Sequence, residues 1–583
     1  MTTRLADNII SPLGFNTQQN YQAVKHGCSA VRRYENLWDM EEPFCAALFT
    51  EEQKEQISID GLSLFESLAV KSVTDAVSKT NIDITSKNVI FILSTTKANI
   101  GLAERNLDDD GIFSPANAAM HIAEHLKLAN KPVVVCNACI SGLAAIVLAQ
   151  RMLESAMADY AVVCGADLQS KFTVQGFHSL LALSQEPCRP FDIDRIGLNL
   201  GEAAATIILK RTDQDEKNDE ESWKIGLGAV KNDAYHICAP SKQGDGAREA
   251  MKIIINNSQI NEIGFINAHG TATLFNDQME AVAIKANGMD ALPVNALKGY
   301  FGHTLGAAGI LETVISMAAA DDNTIIATKG FNELGVSENI QVVKENTPLS
   351  RHAFIKMISG FGGGNAAVLA TKRWYHNNAT TKINLNVTHR VKMTDNSLEI
   401  DGKLIGCQEK GKAMLHELYK THVNDYPKFY KMDPLAKLGF IAAELLLKKE
   451  RTDDEHMEKY AEMPKENHSQ SRAVILFNHS ASVTADRKFI ESMNQPDGCF
   501  PSPAVFVYTL PNIVTGEIAI RNGYHAETAF YVIDKQDNEI MSNIILTAFS
   551  DPDTLSAIAG WIDCTDPDRF VADLCIYEKE IVN

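Results

Sequence analysis

The chain has 583 residues, 45% of them hydrophobic and 22% charged, with a formal net charge of -20. That length exceeds one ordinary core and sets an expectation of three or four units of roughly 150 residues each. The acidic balance argues against nucleic acid or an anionic membrane surface as the main partner.

The opening MTTRLADNIISPLGF lacks the basic start and continuous apolar core of a signal peptide, and no uninterrupted apolar run reaches the roughly 18 residues of a membrane span. The chain reads as cytosolic. Eleven cysteines without paired spacing suggest free thiols, not a disulfide framework. Cys136 and Cys139 form a C-x-x-C pair, but no second such pair or nearby histidine pair completes a zinc site, so no metal is expected.

Short β-branched runs alternate with small-residue helical stretches: KNVIFILST (87–95), PANAAMHIAEHLKL (115–128), PVVVC (132–136), SGLAAIVLAQRMLESA (141–156), YAVVCGAD (160–167), AAATIILKR (203–211), EIGFINAHG (262–270), GAAGILETVISMAAA (306–320) and FIKMISGFGGGNAAVLA (354–370). Strands apolar throughout imply sheets covered by helices on both faces, an α/β class. The helix after Gly142 carries little charge at its start and is expected between sheets. The charged stretches TDQDEKNDEES (212–222) and KKERTDDEHMEKYAEMPKENHSQS (448–471) read as solvated loops. KRWYHNNATTK (372–382) reads as a boundary, because small residues give way there to polar ones before a new strand, INLNVTHRV.

The remainder repeats the order of the first part. LSLFESLAVKSVTDAV before KNVIFILST has a counterpart in MDPLAKLGFIAAELLL before RAVILFNHS, and NAAMHIAEHL has one in NIVTGEIAI. Matching Asn117 with Asn512 brings the place of Cys139 near Asp534, where there is no thiol.

A cysteine with pKa near 8.5 is only a few per cent ionised at neutral pH, so a nucleophilic thiol needs help from its surroundings. In VVVCNACISGLAAI (133–146), Cys139 sits at a strand-to-helix turn, where the helix dipole and free backbone N–H groups favour a thiolate and later an oxyanion. Ala138, Ser141 and Gly142 permit a sharp bend, while Cys136 is still within the strand. Two histidines stand at similar exits: His269 in IGFINAHGTAT and His303 in KGYFGHTLGAAGILE. Each has small neighbours that admit a substrate, so the pair offers hydrogen-bond donors for one carbonyl oxygen or a base for one thiol.

These segments resemble the β-ketoacyl-acyl-carrier-protein synthases, the decarboxylating condensing enzymes of fatty acid and type II polyketide assembly, over Thr3 to about Lys372. The resemblance rests on A-C-x-S-G at Ala138 to Gly142, on AHGTAT continued by NDQMEA, and on K-x-x-x-GH-x-x-GAAG from Lys298 through Gly309. SPLG, RPFDIDRIGLNLGEAAA from Arg189, NDAYHICAP from Asn232 and GFGGGNAAVL from Gly360 agree with it.

The resemblance implies a thiolase-like αβαβα fold in two halves (about 1–210 and 211–373), usually dimeric with itself or with another ketosynthase-like subunit. It implies that Cys139 takes the acyl group from an acyl-carrier thioester and that His269 and His303 hold the malonyl thioester carbonyl as CO2 leaves. By the same resemblance the N–H groups of Cys139 and Phe361 form the oxyanion hole, Phe361 is a gate with glycines such as Gly362 as hinges, and Lys298 and Glu280 are a charged pair beside the histidines. Thr271 and Thr273 correspond to positions that bind the phosphopantetheine arm of the acyl-carrier protein, with no cofactor held by the chain itself. His236 and Asp194 are expected to be structural. Two histidines with one cysteine favour an elongating enzyme, since initiating synthases carry His and Asn and thiolases His and a second Cys.

Residues 374–583 depart from the pattern, with no A-C-x-S-G, HGT or GH motif. They resemble a degenerate, inactive N-terminal half of the same family, expected to pack against the catalytic part. Two other readings stand beside the condensing enzyme: a non-catalytic subunit controlling chain length, and a non-decarboxylating acyltransferase.

Overall fold

The computed structural model describes residues 1–104, 110–212, 221–256, 260–373, 383–453, 469–494 and 501–580. Three successive segments follow the same βαβαβαββ course. The first runs through β1 (Thr2–Ile10), α1 (Leu64–Val77), β2 (Val89–Ser94), α2 (Pro115–His125), β3 (Val133–Val135), α3 (Ser141–Glu154), β4 (Tyr160–Asp167) and β5 (Ala203–Arg211). Its strands pair in the order β3–β2–β4–β5–β1, the first two pairings parallel and the last two antiparallel.

The second comprises β6 (Lys224–Asn232), α4 (Asp245–Asn256), β7 (Phe265–Asn267), α5 (Leu274–Ala286), β8 (Pro293–Asn295), α6 (Ala308–Asp321), β9 (Ala353–Ser359) and β10 (Gly364–Thr371). Its order, β8–β7–β9–β10–β6, has the same senses. The third comprises β11 (Leu385–Thr394), α7 (Pro434–Arg451), β12 (Arg472–Asn478), α8 (Ile513–Asn522), β13 (Thr528–Val532), α9 (Asn538–Ala548), β14 (Ser556–Asp566) and β15 (Arg569–Lys579). It pairs as β13–β12–β14–β15–β11, again with two parallel and two antiparallel steps.

Helices α1 and α2 cover the outer face of the first sheet and α4 that of the second, while α3 and α6 lie between the two sheets. The paucity of charge in α3 has its reason here, since every residue from Ser141 to Leu153 is buried. The central helices approach at their N-termini through glycine. A Cβ on Gly142 would lie 2.7 Å from the Gly306 carbonyl oxygen, and one on Gly309 would lie 2.3 Å from Leu143 N.

β3 also pairs antiparallel with β13, Val135 opposite Tyr531 and Val134 opposite Val532, so the first and third sheets are continuous. The outer edge of β3 is thus covered by the same chain. One core cluster joins Leu68 and Phe91 to Leu476 and Val514 across this junction, and another joins Ile146 to Phe477 and Tyr531. Three buried ion pairs cross it as well: Lys97 with Asp486, Arg151 with Glu527 at 2.5 Å and Lys231 with Asp551 at 2.8 Å. In each, the cation belongs to the first or second segment and the carboxylate to the third.

The charged stretch 448–471 departs from its expected form at its start, because Lys448 to Arg451 complete the last turn of α7. Most of that stretch, of 212–222 and of the boundary 372–382 lies outside the described residues. Among the described residues no helix is long and apolar enough to cross a membrane.

Candidate active site

After β3 the backbone turns sharply. Ala138 takes φ 49, a left-handed conformation that a small side chain tolerates best, and Cys139 follows in a single 3-10 turn that leads into α3. Ser141 braces the turn by donating its hydroxyl to the Ala138 carbonyl (2.6 Å) and accepting the Asn137 N–H (2.8 Å). Asn137 in turn accepts the N–H of Phe530 in β13 at 2.6 Å, so the third segment helps to shape the turn at Cys139. The backbone N–H groups of Cys139 and Phe361 stand by the Cys139 sulfur and favour its thiolate form.

His269 follows β7, and Glu280 on α5 fixes that exit by accepting the N–H groups of His269 (2.6 Å) and Gly270 (2.8 Å). His303 follows Gly302, which has φ 67. The His303 Nδ1 accepts the N–H of Leu305 at 3.2 Å, which places the ring proton on Nε2. That Nε2 is buried with no protein partner.

The sulfur and the two imidazoles converge, with donor atoms all within 4.8 Å of one another and ring centroids 5.0 Å apart at 81°. A cavity of about 390 Å³ opens onto all three and is walled further by Thr271, Thr273 and Phe361. The hydroxyls of Thr271 and Thr273 lie 2.9 Å from each other. On the far side of Phe361 a narrow space of about 20 Å³ is bounded by Phe177, Phe506 and Leu510 and also reaches Cys139.

Burial pushes the Cys139 thiol up to about 12, against the opposing pull of Lys298. Burial, with Lys298 and Lys356 nearby, holds both His269 and His303 well below the ordinary imidazole value, so both rings are neutral at physiological pH. A thiolate with two imidazoles is also a donor set for a soft divalent ion. The proton on His303 Nε2 makes that atom a donor to an oxygen and not a metal ligand.

Three expectations need correction. Lys298 does not pair with Glu280. It donates to Glu312 (2.8 Å) and to the His269 carbonyl (2.6 Å), because Glu312 on α6 lies beneath it while Glu280 is occupied by backbone N–H groups. Glu280 and Gly362 do not stand on the cavity wall. Gly362 turns instead toward the third segment, where a Cβ would lie 2.7 Å from Asn512 Nδ2. His236 lines the cavity, whereas Asp194 is exposed and makes an ion pair with Arg189 at 3.7 Å.

Glu312 and Lys356 were not singled out by the sequence reading. Glu312 bridges Lys298 and Lys356, and Lys356 also donates to the Ala268 carbonyl at 3.1 Å. Their only trace is one carboxylate inside GAAGILETVISMAAA and one lysine inside FIKMIS.

Fold and site together define a thiol-dependent acyl-transfer protein of layered α/β architecture. Residues 8–215 match the family model "Beta-ketoacyl synthase, N-terminal domain" and residues 225–332 the model "Beta-ketoacyl synthase, C-terminal domain". The chain belongs to the β-ketoacyl synthase family. It is 28% identical over 402 residues to 3-oxoacyl-[acyl-carrier-protein] synthase 2 of Coxiella burnetii, covering 62% of this chain and 96% of that protein. Among solved structures, the ishigamide ketosynthase/chain length factor covers 64% of this chain and 99% of its own at 21% identity and TM-score 0.56. The PfaC keto synthase-chain length factor covers 99% of this chain and 78% of its own at 13% identity and TM-score 0.75. The fold therefore has relatives along its whole length, third segment included.

Proposed function

We propose that the chain is a 3-oxoacyl-acyl-carrier-protein synthase that joins a Cys139-bound acyl group to a malonyl-derived unit with loss of CO2. The observation that carries this reading is the shared cavity, in which a neutral His303 with its proton on Nε2 and a neutral His269 face the Cys139 thiol. Because Cys139 is protonated when free, its proton must leave as sulfur attacks the acyl thioester. His303 is committed as a donor, so His269 takes that proton and returns it to the departing carrier thiol.

In the second half, the two imidazoles donate to the malonyl thioester oxygen. The C–C bond to the carboxylate breaks, CO2 leaves and its electron pair forms the enolate. The enolate carbon attacks the acyl carbonyl on Cys139, the N–H groups of Cys139 and Phe361 receive the oxyanion, and its collapse breaks the C–S bond: the β-ketoacyl chain passes to the carrier and the sulfur takes a proton from solvent to return to the thiol. The substrates arrive on the phosphopantetheine arm of an acyl-carrier protein, with the Thr271 and Thr273 hydroxyls as partners for that arm. Leu181, Ile196, Leu274 and Phe275 are exposed along the same cavity and offer an apolar rim to the carrier.

Residues 1–373 form the catalytic part in this reading, and 374–583 a degenerate N-terminal half that serves as a built-in, inactive companion. Asp534, at the place of the nucleophile, pairs with Lys131 at 2.9 Å on a partly exposed surface and carries no acyl chemistry. All ten described cysteines are unpaired, which suits a cytosolic workplace.

The test is incubation of the full chain with acyl carrier and malonyl carrier, following CO2 release and the mass of the protein. Acyl mass on Cys139 with CO2 release and a β-ketoacyl carrier product is expected. Acylation of Cys139 without CO2 release would support the non-decarboxylating acyltransferase, and an inert Cys139 the non-catalytic subunit.

A further inference from the structure

The loop 360–364 places the Phe361 N–H and the Phe361 ring beside the sulfur, and the Phe361 carbonyl is held from the third segment. Asn512, the residue before α8, donates its Nδ2 to the Phe361 carbonyl at 2.8 Å. The next peptide is held as well, with Gly362 N donating to the Ile237 carbonyl (2.7 Å) and Asn232 Nδ2 to the Gly362 carbonyl (2.8 Å). Contact with α8 is close enough to require glycine on both sides. A Cβ on Gly516 would lie 2.7 Å from the Gly362 carbonyl oxygen, and one on Gly362 would meet Asn512. Asn512 is 5% exposed, so its end of this bond is buried, while Phe361 is half-buried.

The loop also has a reason to move. Phe361 stacks on Phe177 with centroids 6.0 Å apart, and Phe177 packs edge-on against Phe506 at 5.5 Å. These rings leave only about 20 Å³ beyond the sulfur, too little for an acyl chain of more than a few carbons. With the 390 Å³ cavity left to the arm that delivers it, a longer chain on Cys139 has to displace Phe361, and Gly362 (φ 86) and Gly363 (φ 76) provide the backbone freedom for that swing.

We propose that Asn512 is the latch of this gate, a positioning residue through which the third segment sets how readily the catalytic pocket admits a long acyl chain. The latch costs a long chain one buried hydrogen bond on entry. A short chain that fits beside Phe361 does not break it. This inference rests on the condensing-enzyme reading for its purpose, but its geometry can be tested without condensation.

The full-length protein is alkylated with iodoacetamide and, separately, with N-octyl iodoacetamide, and the rate at Cys139 is followed by peptide mass mapping. In the unaltered chain the octyl reagent is expected to react far more slowly. Asn512→Ala should raise the octyl-to-short rate ratio about fivefold, the equivalent of one net hydrogen bond of ~1 kcal/mol. Asn512→Asp keeps the shape and removes the donor, so it should raise the ratio at least as much. Asp534→Asn at the same junction weakens the Lys131 ion pair (2.9 Å), which does not touch the loop, so its ratio should not change. An unchanged ratio in both Asn512 variants overturns the latch. So does an equal rise in Asp534→Asn, or a rise confined to variants that have lost cooperative melting. Failure to condense malonyl carrier would leave these ratios as they are, which separates this result from the test of the reaction.

Discussion

Lys298 and Glu312 are joined at 2.8 Å with both side chains sealed from solvent, and the same ammonium holds the carbonyl of His269 at 2.6 Å. The pair ties the backbone of His269 to the central helix α6. Lys356 occupies the second carboxylate oxygen, so a single buried anion answers two buried cations. Both cations stand close enough to help keep His269 and His303 neutral.

Glu312→Leu would therefore strand two ammonium groups in the core. Breaking a buried pair on one side costs about 3–5 kcal/mol, and the expected outcome is a loss of that order in urea denaturation. Lys298→Met leaves Glu312 paired with Lys356 and should destabilise less, while decarboxylation falls because the His269 carbonyl loses its clamp. Equal stability losses for the two variants would contradict this account.

His303→Ala removes one of two donors to the malonyl carbonyl and leaves the thiol and its oxyanion hole in place. Loss of one such donor lowers turnover by about 10²–10³-fold. Acylation of Cys139, read by intact mass, should persist while CO2 release falls by that factor. A variant that loses acylation as severely as CO2 release would assign His303 to the first half-reaction.

The sequence made the grouping of Cys139 with the two histidines legible because each sits at a strand exit among residues too small for anything but close approach. Glu312 and Lys356 escaped because each lies in an apolar run, and the spacing that joins them, 44 residues, leaves no local pattern. Asn512 escaped for another reason. Its partner is a backbone carbonyl, which every residue carries, so no side chain in the gate announces it. The order of the third segment could be read from its helices, whereas its attachment through β3 and β13 could not, since register between two short apolar strands has no mark in composition.

The depressed imidazoles also fix a pH response. Both rings titrate well below 6.5 in the folded chain, so the unfolded chain binds more protons than the folded one once the pH falls beneath that value. Stability should be unaffected by these groups above about 6.5 and decline on acidification, with a contribution to the slope approaching two protons. Urea midpoints of the unaltered chain and of the His269→Ala, His303→Ala double variant between pH 5 and 7 check this: the unaltered chain should fall more steeply. Parallel curves would mean that the rings are not held neutral.

The three buried pairs at the junction bear on whether residues 1–373 can exist alone. Removing residues 374–583 would leave Lys97, Arg151 and Lys231 without Asp486, Glu527 and Asp551, expose the β3 edge and bare Phe172 and Phe177, which pack on Phe489 and Phe506. An open apolar strand edge is a site of aggregation, so residues 1–373 expressed alone are expected in the insoluble fraction. Within the full chain, Glu527→Ala isolates one term by leaving the Arg151 guanidinium buried and unpaired, with an expected loss of about 3–5 kcal/mol in urea denaturation. The double variant Arg151→Met, Glu527→Leu should recover most of that loss, because it removes both charges together. A soluble, fully active 1–373 fragment would show instead that the third segment is dispensable to the fold.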